Sequence, residues 1–160
     1  PPPPSAHYYM AAMRSAGDYA ITCRVRSAGL RLSALGHSVY TYYFTHTPKA
    51  SLNYEHVPTL GAFHGAEVPF VFGDDFELAN KGEKALAQAM GCYWRNFAHT
   101  GDPNTPPPGG AACSGGQPPR WPRFQEGEDE TMVLDVGSIA PEVGLKKVEC
   151  DAFAAADAQL

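Results

Sequence analysis

Ser38 to Thr45 reads Ser-Val-Tyr-Thr-Tyr-Tyr-Phe-Thr, a run dense in β-branched and aromatic residues with no clean alternation of apolar and polar positions. Such a run suits a parallel strand covered on both faces. A helix is expected just before it, over Asp18 to Leu35. Ile21, Val25, Ala28, Leu32 and Leu35 recur there at alternating spacings of four and three and make one apolar face. Arg24, Arg26 and Arg31 fall off that stripe and read as solvated positions, and Gly36 is a good helix stop. A helix feeding such a strand is half of an α/β repeat, so the expected class is α/β with a mostly parallel central sheet flanked by helices.

The strongest helix signal covers Asn80 to Thr100. Asn80 can cap it, with Glu83 at the third helical position reaching back. Leu86, Met90, Tyr93, Trp94 and Phe97 form its amphipathic stripe. Gly101 ends it, and Asp102-Pro103-Asn104 supplies the turn that follows. Thr131 to Val136 reads as a short strand near a sheet edge. The chain then runs as loop from Pro141 until an Ala-rich helix begins near Val148. Pro1 to Pro4 suggests extended polyproline structure, within a Pro-rich linker over residues 1–14. Residues 105–120, rich in Pro and Gly, read as a mobile surface insertion in a single domain over residues 15–160.

The formal net charge of −5 and pI near 5.6 argue against nucleic acid as a partner. No run of eighteen apolar residues is present, so no transmembrane segment is expected.

The segment with chemistry in it is Gly61-Ala62-Phe63-His64-Gly65-Ala66-Glu67-Val68-Pro69-Phe70-Val71-Phe72-Gly73. It holds a histidine on a glycine-flanked turn beside an apolar run, which suits a general base. A carboxylate, Glu67, follows three residues on. His56, His64 and Glu67 lack metal-ligand spacing, and no cysteine pair lies near, so no metal is expected. His7, His37, His46 and His99 show no partner pattern and read as surface residues.

That segment, followed by Tyr93-Trp94-Arg95-Asn96-Phe97-Ala98-His99-Thr100-Gly101-Asp102-Pro103-Asn104, then Trp121-Pro122-Arg123-Phe124 and Thr131-Met132-Val133-Leu134-Asp135, resembles the C-terminal part of type-B carboxylesterases, the family that includes the cholinesterases. The resemblance runs from about Ser15 to about Phe153, in the family's order and spacing. It implies the C-terminal section of an α/β-hydrolase fold, incomplete as a domain. It implies hydrolysis of a small-molecule carboxylic ester through an acyl-serine, with no cofactor. His64 would take the serine proton and return it to the leaving alcohol. Glu67 stands too close to His64 for the triad acid, which the family draws from an earlier loop. It would instead brace the turn, with Gly65, through backbone N–H groups. Cholinesterase-like proteins pair cysteines at positions resembling Cys23 and Cys150, which implies a disulfide and a secreted or luminal compartment. One departure is Arg24, where the family has proline after that cysteine. Cys92 reads as a buried free thiol, and Cys113 as free in the insertion.

Chain order in α/β-hydrolases is serine, acid, histidine, so the nucleophile and acid should precede His64. No G-x-S-x-G stands there. Gly36-His37-Ser38 begins one, but Tyr40 replaces the second glycine. Ala112-Cys113-Ser114-Gly115-Gly116 is the nearest mimic, in a Pro/Gly loop after His64 without the strand and helix of an elbow. The chain, which opens on proline, therefore reads as a piece of an enzyme that is inactive alone. The rival reading is a non-catalytic, cholinesterase-like adhesion or structural module, since the histidine can outlive the serine.

Overall fold

A computed structural model describes residues 4–49, 61–73 and 78–159. They fall into two compact units, one of residues 1–41, 123–130 and 143–160, the other of residues 42–122 and 131–142.

In the first unit a helix runs from α1 (Pro4–Gly17) through a π-helical turn (Asp18–Thr22) into α2 (Cys23–Ala34). The helix therefore starts well before Asp18, inside the expected linker. Proline is compatible with a first helical turn, because its missing N–H has no partner there anyway. Pro1 to Pro3 lie outside the described residues. Gly36 (φ 85°) ends α2 in a Schellman motif: His37 N–H donates to Leu32 O (3.1 Å) and Gly36 N–H to Ser33 O (2.9 Å).

The expected apolar stripe is not core. Ile21, Val25, Ala28, Leu32 and Leu35 are all exposed. The face that packs is the one carrying Gly29, where an added Cβ would meet the buried Phe124 ring at 3.1 Å. Arg26 is not a solvated position either. Its side chain is 14% exposed and ion-pairs with Asp129 and, at 3.4 Å, Asp151.

The helix α5 (Lys147–Asp157) begins where the sequence suggests and is tied to α2 by the Cys23–Cys150 disulfide, Cα–Cα 5.1 Å. The rings of Tyr19 and Phe153 meet edge-on at 5.3 Å, and Arg24 pairs with Asp157 at 3.1 Å.

The second unit is built on a three-stranded sheet in the order β1 (Tyr42–Phe44), β2 (Glu130–Asp135), β3 (Ser138–Val143). β1 is parallel to β2, with Tyr42 opposite Met132, Tyr43 opposite Val133 and Phe44 opposite Leu134. The parallel pairing expected of the Ser38–Thr45 run is present over a shorter span. β2 is not an edge strand. It lies between β1 and β3 with Met132 and Leu134 fully buried. β3, one of the two outer strands among those described, lies in the stretch expected to be loop around Pro141; proline, which cannot donate to a ladder, is tolerated at such edges.

Two helices cover this sheet's own unit. The short α3 (Val68–Phe72) has proline in its first turn and ends at left-handed Gly73 (φ 65°). The long α4 (Lys81–Thr100) starts and stops as the sequence indicates. Asn80 Oδ1 accepts from Glu83 N–H (3.0 Å), and Gly101 (φ 73°) closes the C-terminus. Leu86, Met90 and Tyr93 of its stripe are buried, whereas Phe97 is exposed. Behind the stripe, Asn96 is fully buried and donates to Pro103 O (3.1 Å). Asn104 then acts as a substitute peptide for Trp121, donating to its O (2.9 Å) and accepting from its N–H (2.7 Å). This seats Trp121 against Tyr93, ring centroids 5.0 Å apart.

Residues 105–120 contain no helix or strand, but they are fastened. Cys113 is bonded to Cys92 of α4, Cα–Cα 5.6 Å, and the Tyr93 hydroxyl donates to Pro119 O. Neither cysteine is free, contrary to the reading from sequence, where no spacing motif announces the pair.

Candidate active site

His64 sits on a turn closed by Ala66 N–H to Phe63 O (2.9 Å) and Val68 N–H to Gly65 O (3.1 Å). Gly65 adopts φ 86°, a backbone that side chains rarely tolerate, and Gly61 adopts 64°. The turn runs straight into α3, whose Phe70 is 1% exposed. Ala66 is buried as well, so the turn is pinned from its C-terminal side while His64 itself stays exposed. Among the described residues His64 makes no hydrogen bond or ion pair.

Among the described residues the partner of the Glu67 carboxylate is a side chain and not a backbone amide. Its Oε1 accepts from the Tyr42 hydroxyl (3.3 Å), while its backbone O accepts from Phe70 N–H (3.0 Å) and Val71 N–H (3.1 Å). The side chain thus ties the His64 turn to β1. Burial, then the charge of Glu67 and the hydrogen bond to it, hold the Tyr42 phenol above its ordinary value of 10.0.

The largest departure from the sequence reading is His46. It is not a surface residue but 8% exposed and held between two carboxylates. Its Nε2 lies 2.9 Å from Glu83 Oε1 and its Nδ1 3.2 Å from Asp135 Oδ1. Glu83, read as a capping residue, is fully buried and takes more than a cap. Its Oε1 also accepts from Lys49 N–H (2.7 Å) and its Oε2 from Ala79 N–H (2.8 Å). Burial pushes the Glu83 carboxyl upward, but the bonds from His46, Lys49 and Ala79 and the His46 charge outweigh it. The net displacement is below 4.5. No local spacing signals this cluster, because its members lie 37 and 89 residues apart in the chain.

The serine mimic gains nothing from the fold. Ser114 lines a half-open cavity of about 210 Å³ with Phe72, Gln88, Gly91, Arg95 and Cys113, and no histidine lines it. His37 and His99 are exposed; His56 lies outside the described residues. Among the described residues no three His, Cys, Asp or Glu side chains are placed to hold a metal ion, and no helix is long and apolar enough to cross a membrane.

The described residues thus place an exposed histidine on a glycine turn that runs into α3. The sequence pattern of the Carboxylesterase family matches residues 3–153, and the chain belongs to that family. Membership carries the α/β-hydrolase fold with it, of which the mixed sheet and its helices are a part. The chain is 33% identical over 144 residues to "Acetylcholinesterase 1" of Caenorhabditis briggsae, covering 87% of this chain and 22% of that protein. It is 33% identical over 138 residues to "Acetylcholinesterase" of Gallus gallus, covering 84% and 16%. With "Carboxylesterase 4A" of Bos taurus it shares 39% over 103 residues, covering 63% and 16%. The chain therefore spans about a fifth or less of the length of these relatives.

Proposed function

We propose that this chain is the histidine-bearing part of a serine carboxylic-ester hydrolase, with His64 as general base and acid. The observation that carries this reading is the His64 turn, pinned on its C-terminal side by buried Ala66 and Phe70 and open at the imidazole, inside the family match. An imidazole can take a serine proton as the alkoxide attacks the ester carbonyl. It can then return that proton to the departing alcohol, at a pH near neutrality. Glu67 holds the turn through Tyr42, and Gly65 permits its backbone. The nucleophile, its acid and the oxyanion donors would come from outside these 160 residues, and the chain alone would hydrolyse nothing. The substrate class is a small carboxylic ester, and no cofactor takes part.

The exposed stripe Ile21, Val25, Leu32 and Leu35 supports the same reading, since an apolar helix face of this kind ordinarily packs on a sheet. Two disulfides suit an oxidising compartment, so the parent protein is secreted or luminal. The test is the coding sequence upstream of Pro1. A G-x-S-x-G elbow is expected there. Another residue at its serine would overturn the esterase reading in favour of an adhesion or structural module.

A further inference from the structure

We propose that His46 is a positioning residue: clamped between Asp135 and Glu83, it holds α3 in place and, with α3, the turn that carries His64. The proposal rests on the reading of His64 as the base. β1 ends at Phe44, and the His64 turn runs into α3. Just after β1, His46 and the Lys49 N–H converge on Glu83 Oε1 at 2.9 and 2.7 Å. In α3, Phe70 meets the His46 ring edge-on at 5.6 Å, and Phe44 packs on the Phe70 ring at 5.1 Å. Phe70 lies six residues beyond His64 and is buried. One imidazole thus meets Asp135 at the end of β2, Glu83 in the first turn of α4 and Phe70 in the helix that follows the His64 turn.

The clamp is itself held. Asp135 accepts Thr45 Oγ1–H at 3.0 Å and Val136 N–H at 2.7 Å, and Glu83 accepts Ala79 N–H at 2.8 Å. Both ring nitrogens face carboxylate oxygens, and both bonds form when both nitrogens carry protons. An ordinary buried histidine needs one partner. Two carboxylates on one ring, each with backbone donors of its own, make a rigid bracket.

The test is site-resolved amide hydrogen exchange on the 160-residue chain, comparing wild type with His46→Ala, His46→Gln and Asp135→Asn. In wild type the Ala66 and Val68 amides, which close the His64 turn, are protected. In His46→Ala their protection falls by about tenfold or more, whereas the Gly101 amide at the far end of α4 changes by less than about twofold. His46→Gln, which keeps one donor, recovers part of the protection. Asp135→Asn, which keeps volume and the Val136 bond, guards against a variant that merely unfolds and lowers turn protection too. The His64 ring signals shift in the same variants. Unprotected turn amides in wild type, an unchanged turn in His46→Ala, or an equal loss everywhere would overturn the proposal. None of these readouts involves ester turnover, so this proposal and the assignment of His64 as base can fail separately.

Discussion

Replacing Cys23 and Cys150 by serine removes the longest covalent constraint in the molecule. The bridged residues are 127 apart in sequence. The chain-entropy account then assigns the disulfide about 5 kcal/mol at 25 °C. The other contacts between Tyr19 or α2 and α5 are weaker, and one of them, Arg26 with Asp151 at 3.4 Å, shares its guanidinium with Asp129. The Arg24–Asp157 pair is exposed on both sides, at 59% and 37%, so it contributes about 0–1 kcal/mol. The Tyr19–Phe153 edge contact adds about 1 kcal/mol. A whole domain of this kind is stable by roughly 5–15 kcal/mol, so losing the bridge should release α5 or unfold the first unit. The internal control is Cys92→Ser with Cys113→Ser. Its loop of 21 residues gives about 3 kcal/mol on the same formula. Urea denaturation followed by far-ultraviolet circular dichroism, beside non-reducing peptide mapping, measures both. The expected order is wild type, then the short-loop variant, then the long-loop variant. A long-loop variant within about 1 kcal/mol of wild type, or Cys23 and Cys150 alkylated without reductant, would refute the reasoning.

Three further outcomes follow from the second unit. Glu83→Gln should lower stability at pH 7 by about 2 kcal/mol or more. The Glu83 carboxyl is held low when folded, so its contribution is present above pH 4.5 and lost as pH falls through the lower folded value; the variant's stability should be flatter there in acid denaturation. Burial pushes the Tyr93 phenol up to about 12, so the stability it lends is full below pH 10 and fades as pH rises towards 12. Absorbance titration at alkaline pH should show a late phenolic step that Tyr93→Phe abolishes. Trypsin should cut the folded chain at Arg120 only slowly, because Pro119 O and the Trp121 N–H on either side of it are both hydrogen-bonded; early cleavage there would mean that the chain is loose beyond the Cys92–Cys113 tether.

How much of this was legible in the sequence depended on whether a feature was local. The Asn80–Glu83 cap, the Gly36 and Gly101 stops, the parallel pairing of Tyr42–Phe44 and the start of α5 are each written within a few residues, and each is present. β3 was hidden because Ser138-Ile-Ala-Pro-Glu-Val lacks alternation and contains proline, which an edge position tolerates. α3 was hidden because Val-Pro-Phe-Val-Phe carries no helical period. The stripe on Ile21 to Leu35 was legible as one apolar face, and it is exposed; periodicity names a face, not what covers it.

At the site, the turn around His64 was legible because its glycines are. The His46–Glu83–Asp135 cluster was not, because its pairs are long-range and ordinary residue types carry no spacing signature. The Tyr93 to Asn104 motif that points to the family has a structural job, through Asn96, Asn104 and Trp121, rather than a chemical one.

The claim that these 160 residues carry a base without its nucleophile is tested most directly by assaying the purified chain on a p-nitrophenyl ester beside His64→Ala. A triad enzyme stripped of its triad retains about 10³–10⁴-fold acceleration through its oxyanion hole and substrate binding. Since those elements would also come from elsewhere, both proteins should show the same slow, non-saturating background. Turnover that saturates with substrate and vanishes in His64→Ala would contradict the account and place a nucleophile within this chain, with Ser114 the first residue to replace.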